Sequence, residues 1–425
     1  MKSLPVERGR ELKGLAGKAA LLSFAAATAA FGQGYKIPEQ SLNATALSGA
    51  YVSHSNAADA AYYNPANMAF MGEEKHFELN LMYIHLTPVK YEGTFMGLPA
   101  DNESKREHFV LPQLYLVSEP LGNARIGLSI NEPAGLAKRW SKPPQSYAAK
   151  TFDLKVIEVN PSVSYEILEN LAVAAGVRFV YSEGIVQTDP MGPVDPTNPE
   201  SYGLDMKGDS WDLGYNLALS YKPFESWGMA LTYRSKVDMT MEGAQKFNPG
   251  LEPAPGMTIS AVSGSVTLPL PAVLTVATDY TIAESTTLEF VYERTFWSEY
   301  EKLTIEVGGS PVVDAEKEWE DKNTFRLGVT QKIGENWTGM LGLAYDETPM
   351  PDKTLGFELP DSNAYIASIG VRYRISEAAD IGIAYLYDYK EDRKITASDN
   401  NDNFIVGEFS GSSAHMFSVG LGYRF

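Results

Sequence analysis

The chain has no cysteine, which excludes a disulfide scaffold and a thiolate metal site. It has only five histidines, His54, His76, His85, His108 and His415, and their spacing matches no metal-ligand motif. Basic residues are in the minority: 35 Lys and Arg stand against 54 Asp and Glu, for a formal net charge of −19. That balance argues against nucleic-acid binding, which needs basic patches. No uninterrupted apolar run after the N-terminus approaches the roughly 18 residues that a membrane-spanning helix requires. A G-x-S-x-G nucleophile elbow is missing, so an enzyme is not expected, and no catalytic residue, metal or cofactor is assigned. The stretch "SDNNDN" (Ser398–Asn403) fails as a calcium loop. Counted from Asp399, an EF-hand wants Gly at the sixth place and Glu at the twelfth, where Phe404 and Ser410 stand.

What is present begins with a leader. Lys2, Arg8, Arg10, Lys13 and Lys18 precede the short apolar run "AALLSFAAATAA" (Ala19–Ala30), and small residues follow at Ala30 and Gly32. A basic region, an apolar core and a small-residue exit predict a signal peptide over residues 1–32, with cleavage between Ala29 and Gly34. The mature protein is therefore expected outside the cytoplasm.

The body alternates. In "HMFSVGLGYRF", Phe417, Val419, Leu421, Tyr423 and Phe425 share one face, while Ser418, Gly420, Gly422 and Arg424 share the other. The same period of two recurs in "YIASIGVRYRI", "DIGIAYLYDY" and "WDLGYNLALSY". The minority face is Gly, Ser, Asn and Arg, and aromatic residues gather at strand ends, with Trp227 and Trp337 just after short turns. A polar interior and an apolar exterior with aromatic girdles describe an outer-membrane barrel. Tight turns are expected at 119–123, 168–169, 223–226, 283–285, 334–336 and 376–378. Long polar loops are expected at 88–107, 131–155, 183–208, 243–263, 307–315, 347–361 and 397–410. Their strict alternation predicts an all-β fold: a transmembrane antiparallel β-barrel of about 14 strands over 76–425, in the bacterial outer membrane.

So wide a barrel needs something in its lumen or it is an open pore. Residues 33–75 are rich in Ala, Ser, Asn and Gly and are expected to form an N-terminal hatch plugging that lumen. Within them "AADAAYYNPANM" predicts a short helix over 57–63 that stops at Asn64, because the residue before proline is driven out of helical geometry. Inward-facing basic residues by strand parity are Arg178, Arg234, Arg326 and Arg372, with Glu289 and Glu293 as possible ion-pair partners.

The segment "GYKIPEQSLNATALSGAYVSHSNAADAAYYNPANM" resembles the hatch of the FadL/TodX (OMPP1) family of outer-membrane long-chain fatty-acid and hydrocarbon transporters. The likeness is carried by Gly34-Tyr35, Glu39-Gln40-Ser41, Gly49-Ala50-Tyr51, Asp59 and Asn64-Pro65-Ala66. Downstream it continues through "LTYRSKV", "TLPLPAV", "FWSEY", "FRLGV" and "AYDETPMPD". The resemblance implies passive transport of long-chain fatty acids or similar hydrophobic small molecules, captured at external loops and held in an inner apolar pocket. It also implies sideways release at a break in the third strand, here "SINEPAGLAKRW", where Pro133 and Gly135 interrupt the alternation. It places a basic residue near the inner pocket, which makes Lys322 the first carboxylate candidate and Arg326 the next, before Arg234 and Arg178. Lys138, Arg139 and Lys142 could meet the ligand earlier or contact lipopolysaccharide phosphates. A monomer among outer-membrane lipid and lipopolysaccharide is expected. The alternatives are a toluene- or alkane-type channel of the same family and a general porin.

Overall fold

In the computed structural model the chain is a closed antiparallel barrel of fourteen strands. The structure describes residues 34–191, 203–248 and 262–425; the expected signal peptide lies outside them. Strands β1 (His76–Leu86), β2 (Glu107–Val117), β3 (Ala124–Arg139), β4 (Thr151–Leu168), β5 (Leu171–Gln187) and β6 (Gly203–Phe224) are continuous. The next four are each broken once: β7 (Trp227–Arg234 and Val237–Asn248), β8 (Val262–Leu270 and Val273–Ile282), β9 (Thr286–Thr295 and Lys302–Val307) and β10 (Ser310–Glu316 and Lys322–Ile333). These breaks fall side by side, because Arg234 pairs with Val273, Val273 with Thr295 and Thr295 with Lys322. Strands β11 (Trp337–Asp346), β12 (Ala364–Arg374), β13 (Ala379–Lys390) and β14 (Ser413–Arg424) complete the wall. Closure comes from β1 against β14, with His76 opposite Arg424 and Leu86 opposite Ala414.

The alternation does what period two requires. Leu213, Leu343, Ile369, Ile383 and Val419 stand exposed on the outer face, where lipid rather than water is their solvent. Arg178, Arg326, Asn216 and Ser418 are buried on the inner face. A closed wall leaves no sheet edge for lipid to desolvate.

Three loops differ from expectation. Residues 307–315 are no long loop: Val307 and Ser310 pair across a two-residue Gly308–Gly309 turn, and the flanking strands extend beyond the barrel rim. Both glycines have positive φ, as a two-residue hairpin demands. The loops 88–107 and 397–410 are also structured. Their segments Lys90–Phe95 and Ile405–Ser410 pair in a small second sheet, whose Tyr91, Ile405 and Phe409 pack with Phe357 and Trp140. Sequence alternation there is too short to stand out from polar loop.

Inside the barrel lies the segment from Gly34 to Met71. It holds helix α1 (Leu42–Ala46), helix α2 (Ala60–Tyr63) and a 3₁₀ helix over Pro65–Phe70. Helices this short have no stability of their own, so side chains pin them. Ser41 caps α1 by accepting from the Ala44 N–H at 3.2 Å. Asn64 ends α2 as expected, but the chain then winds again from Pro65, with the Asn64 side chain accepting from Ala66 N–H. Proline at the first helical position loses no bond, which the sequence reading of Asn-Pro as a stop overlooked. Asn64 also donates to Ser220 of β6 at 2.8 Å. Asp59 accepts from Asn43, which accepts from Arg372 of β12, which in turn pairs with Glu78 and Asp380.

The firmest anchor is Glu289 of β9. Its carboxylate accepts the backbone N–H groups of Val52 and Ser53, each at 2.6 Å, and of His54 at 3.2 Å. Removing an acceptor and leaving buried donors unmet costs about 1–3 kcal/mol per group. Glu289→Ala is therefore expected to free the hatch while leaving the wall intact. Limited proteolysis should then cut between residues 50 and 60, with the heat-modifiable migration of the barrel unchanged. Protection equal to wild type would show that Glu289 is not the anchor.

Candidate functional site

The site is built where β3 leaves its neighbour. Pairing of β2 with β3 is confined to Leu114–Val117 against Gly127–Ile130. Beyond that, Glu107–Gln113 keep their partners on β1 and residues 134–139 keep theirs on β4, but the two strands no longer pair with each other. The register of β3 slips between Asn131 and Ala134, so Glu132 and Pro133 bulge. A proline stands on each bank, Pro112 on β2 and Pro133 on β3, and neither has an N–H for the ladder. At the loop end the seam closes again: Lys105 N–H donates to the Arg139 carbonyl at 2.8 Å and Arg139 pairs with Glu107 at 2.5 Å. The result is a bounded window in the hydrogen-bonded wall.

The hatch supplies the peptide groups that β2 withholds. Ile37 N–H donates to the Pro133 carbonyl at 2.9 Å, and Gly135 N–H to the Tyr35 carbonyl at 2.8 Å. Between them Gln40 acts as a substitute strand residue. Its amide donates to the Glu132 carbonyl at 2.8 Å and accepts from the Glu132 N–H at 3.0 Å. The Tyr115 hydroxyl of β2 in turn donates to the Gln40 carbonyl.

The same hatch residues wall a cavity in the lumen. Along the extended stretch, Ile37 packs with Met82, Ile84, Phe109 and Leu111 of β1 and β2. Lys36 turns the other way, donating to Glu293 at 2.8 Å and Thr295 at 2.9 Å. The cavity it enters is also lined by Arg178, Arg234, Arg326, Pro133 and Pro271. Four cations thus face it against one lining carboxylate, Glu293. Behind them Glu158 is shared, with Arg178 Nε at 2.8 Å and Arg234 paired to its other oxygen. Arg326 donates to the Ser48 carbonyl at 2.8 Å and lies 3.4 Å from Glu39. Its guanidinium sits where a Cβ on Gly49 would be, 2.8 Å from Nη1, and Gly49 has a φ of +75°. Only glycine satisfies both demands.

A second, more apolar cavity lies on the loop side of Tyr35, lined among others by Leu136, Phe152, Leu154, Met241, Leu268 and Trp319. Gly34, with positive φ, packs against Trp297 and Trp319 at its edge. Gly34 N–H reaches Asp361 in the loop after β11 at 3.4 Å. Burial holds the Asp361 carboxyl above the usual carboxylate range, against the pull of Lys390.

Residues 23–425 match the family model of the outer membrane protein transport protein (OMPP1/FadL/TodX). The chain belongs to this family. A long-chain fatty acid transport protein of Escherichia coli O6:H1 is 26% identical over 434 residues, spanning 94% of this chain and 96% of its own. Outer membrane protein P1 of Haemophilus influenzae is 24% identical over 74% of this chain and 75% of its own. Among solved structures, a Pseudomonas aeruginosa FadL homologue superposes with a TM-score of 0.78 at 21% identity, covering 92% of this chain and 99% of that one. The Pseudomonas putida toluene transporter TodX does so with a TM-score of 0.70 at 16% identity and the same coverage. These likenesses establish the fold and the outer-membrane location of the family.

Of the expected site residues, Arg178, Arg234 and Arg326 converge on the lumenal cavity as family members of this barrel, and Pro133 and Gly135 fall on the window. Lys322 does not line the cavity. It stands at the start of the second half of β10 and pairs with Glu320 at 2.7 Å. The residue that sequence reasoning missed is Lys36. Its lone charge in an otherwise uncharged "GYKIP" was the available signal. Gln40→Leu removes both bonds to Glu132, each worth about 0.5–1.5 kcal/mol net. Amide exchange at residues 132–135 is expected to quicken roughly tenfold or more, with exchange in β4 unchanged. Unaltered exchange would sink the idea that Gln40 holds the bulge.

Proposed function

We propose that this protein is a passive, non-enzymatic outer-membrane transporter of long-chain fatty acids, working as a monomer within outer-membrane lipid and lipopolysaccharide. Ligand is captured at the external loops, enters the apolar loop-side cavity, places its carboxylate among Lys36, Arg234 and Arg326, and leaves sideways through the window at β3. The observation that carries this reading is the set of four cations, Lys36, Arg178, Arg234 and Arg326, lining a lumenal cavity whose wall is also the wall of that window, against three partner carboxylates, Glu39, Glu158 and Glu293. A carboxylate wants such donors. Lys36 enters the cavity through its bonds to Glu293 at 2.8 Å and Thr295 at 2.9 Å, and Glu293 also lies 3.9 Å from Arg326.

Energetics favour the route. Each CH₂ removed from water is worth about 0.8 kcal/mol, so a chain of roughly 16 carbons gains on the order of 10 kcal/mol on entering the cavities. The bilayer offers the same gain, so release into it needs no energy source. The cation-lined cavity has about 70 Å³ of free volume, against roughly 300–1,000 Å³ for an ordinary ligand pocket. Side chains and the Tyr35–Gln40 strip must therefore move to admit a chain.

A second reading, a hydrocarbon channel, is favoured by the apolar lining of the loop-side cavity, since a hydrocarbon needs no cation. A displacement titration separates the two. A bound fluorescent fatty acid is competed with palmitate, hexadecane and toluene, on wild type, Lys36→Met and Lys322→Met. Palmitate alone is expected to displace it, weakened about 10- to 100-fold by Lys36→Met and unchanged by Lys322→Met. Equal displacement by the hydrocarbons, indifferent to Lys36, would assign the protein to hydrocarbons instead.

A further inference from the structure

At the foot of the window three carboxamides stand in one row. Asn80 of β1 is opposite Gln113 of β2, and Gln113 would be opposite Asn131 of β3 had the ladder run one pair further. All three face inward and are 1% exposed. Among the described residues, neither amide atom of Asn80 or of Gln113 has a hydrogen-bond partner. Ser129 Oγ and Glu132 Oε2, on the β3 bank, are also unpartnered. Leaving a buried amide unmet costs about 1–3 kcal/mol per group, and native structures rarely tolerate it without water or ligand. Room for the Asn80 amide is made by Gly420 on β14, where a Cβ would lie 2.2 Å from Asn80 Oδ1. This row differs from the cavity behind the hatch in one respect: it contains no cation.

We propose that Asn80, Gln113 and Asn131 form an uncharged head-group site at the exit, which receives the polar end of the ligand as a neutral group. The inference rests on the fatty-acid reading above for its ligand and extends it to the state in which the head leaves. A carboxamide both donates and accepts, which matches an undissociated carboxyl or a hydroxyl and not a bare anion. Hydrocarbon imposes the same choice, because an ionised carboxylate in lipid is far more costly than its acid. The unpartnered Glu132 oxygen on the β3 bank can accept a bond from a neutral O–H. Cations thus hold the carboxylate in the lumen; it takes up one proton from the aqueous solvent as it leaves them, and the amides pass the neutral acid to the bilayer.

The test uses the full-length barrel in vesicles of brominated phosphatidylcholine, with pyrene-tagged 16-carbon acid, alcohol and sulfonate. Binding is read by energy transfer from tryptophan, delivery by quenching of pyrene on arrival in lipid. Acid and alcohol are expected to be delivered, and the permanently anionic sulfonate to bind without delivery. Gln113→Leu and Asn80→Leu should slow delivery of acid and alcohol about tenfold and leave acid affinity unchanged. Gln113→Met serves if the leucine variants do not fold, as judged by heat-modifiable migration. Delivery unaffected by these substitutions, or sulfonate delivered as fast as acid, overturns the proposal. Failure of the acid to bind wild type would instead strike the fatty-acid reading, while delivery of the alcohol would still report on the amide row.

Discussion

In a bilayer no water meets a stray peptide group, so a wall strand that parts from its neighbour must find substitutes for every N–H and C=O it exposes. β3 parts from β2 above Ile130, and everything notable in the lumen follows from how that need is met. The substitutes come from the hatch: the backbone of Tyr35 and Ile37 and the side chain of Gln40. This segment inside the barrel thereby does more than fill the lumen. It is the missing neighbour of a wall strand, and the wall is sound only while it stays in place.

That dual role divides the hatch in two. From Ser41 onward it is tied to several strands by charged or multiple bonds, through Glu289, Arg372 and Ser220. From Tyr35 to Gln40 it is held to β3 by four ordinary hydrogen bonds, each worth about 0.5–1.5 kcal/mol net. It is also held to β8, β9 and β10, by Tyr35 on the Pro269 carbonyl, Lys36 on Glu293 and Thr295, and Glu39 beside Arg326. The bonds to β3 alone total a few kcal/mol, below the ~10 kcal/mol that a long acyl chain gains by burial. In the proposed route a ligand loosens the strip from β3, and the same residues divide the cavity from the window.

Much of this was legible in the sequence, because a barrel in lipid writes its architecture into a strict alternation with a regular turn rhythm. The fourteen strands, the helix stop at Asn64 and the interrupted alternation at Pro133 came from local patterns, while the break in the third strand was implied by the family resemblance. What could not be read were pairings across the fold. Gln40 looks like any polar residue of a hatch until the register places it opposite Glu132, 92 positions away. Lys322 follows two acidic residues and Lys36 stands alone among uncharged ones, but only the fold shows that one meets Glu320 two residues off and the other reaches Glu293 across the lumen. The unpaired half of β2 was equally hidden. Pro112 was visible, but a proline alone does not say which neighbour a strand has lost.

The lumenal ion pairs bear on the same constraint. Burying a charge pair seldom adds net stability, since desolvation of both partners offsets their attraction. Four cations around a cavity are therefore poorly explained as glue for the barrel. They are better explained as a charge arrangement maintained for something that visits. Glu158 serves two arginines, Glu293 faces both Lys36 and Arg326, and Glu39 lies beside Arg326, so four cations share three carboxylates and one added carboxylate would balance them. The amide row at the window lacks such a cation altogether. A head group moving from one to the other passes from a site that favours its charge to one that favours its loss, in the order that entry into hydrocarbon requires.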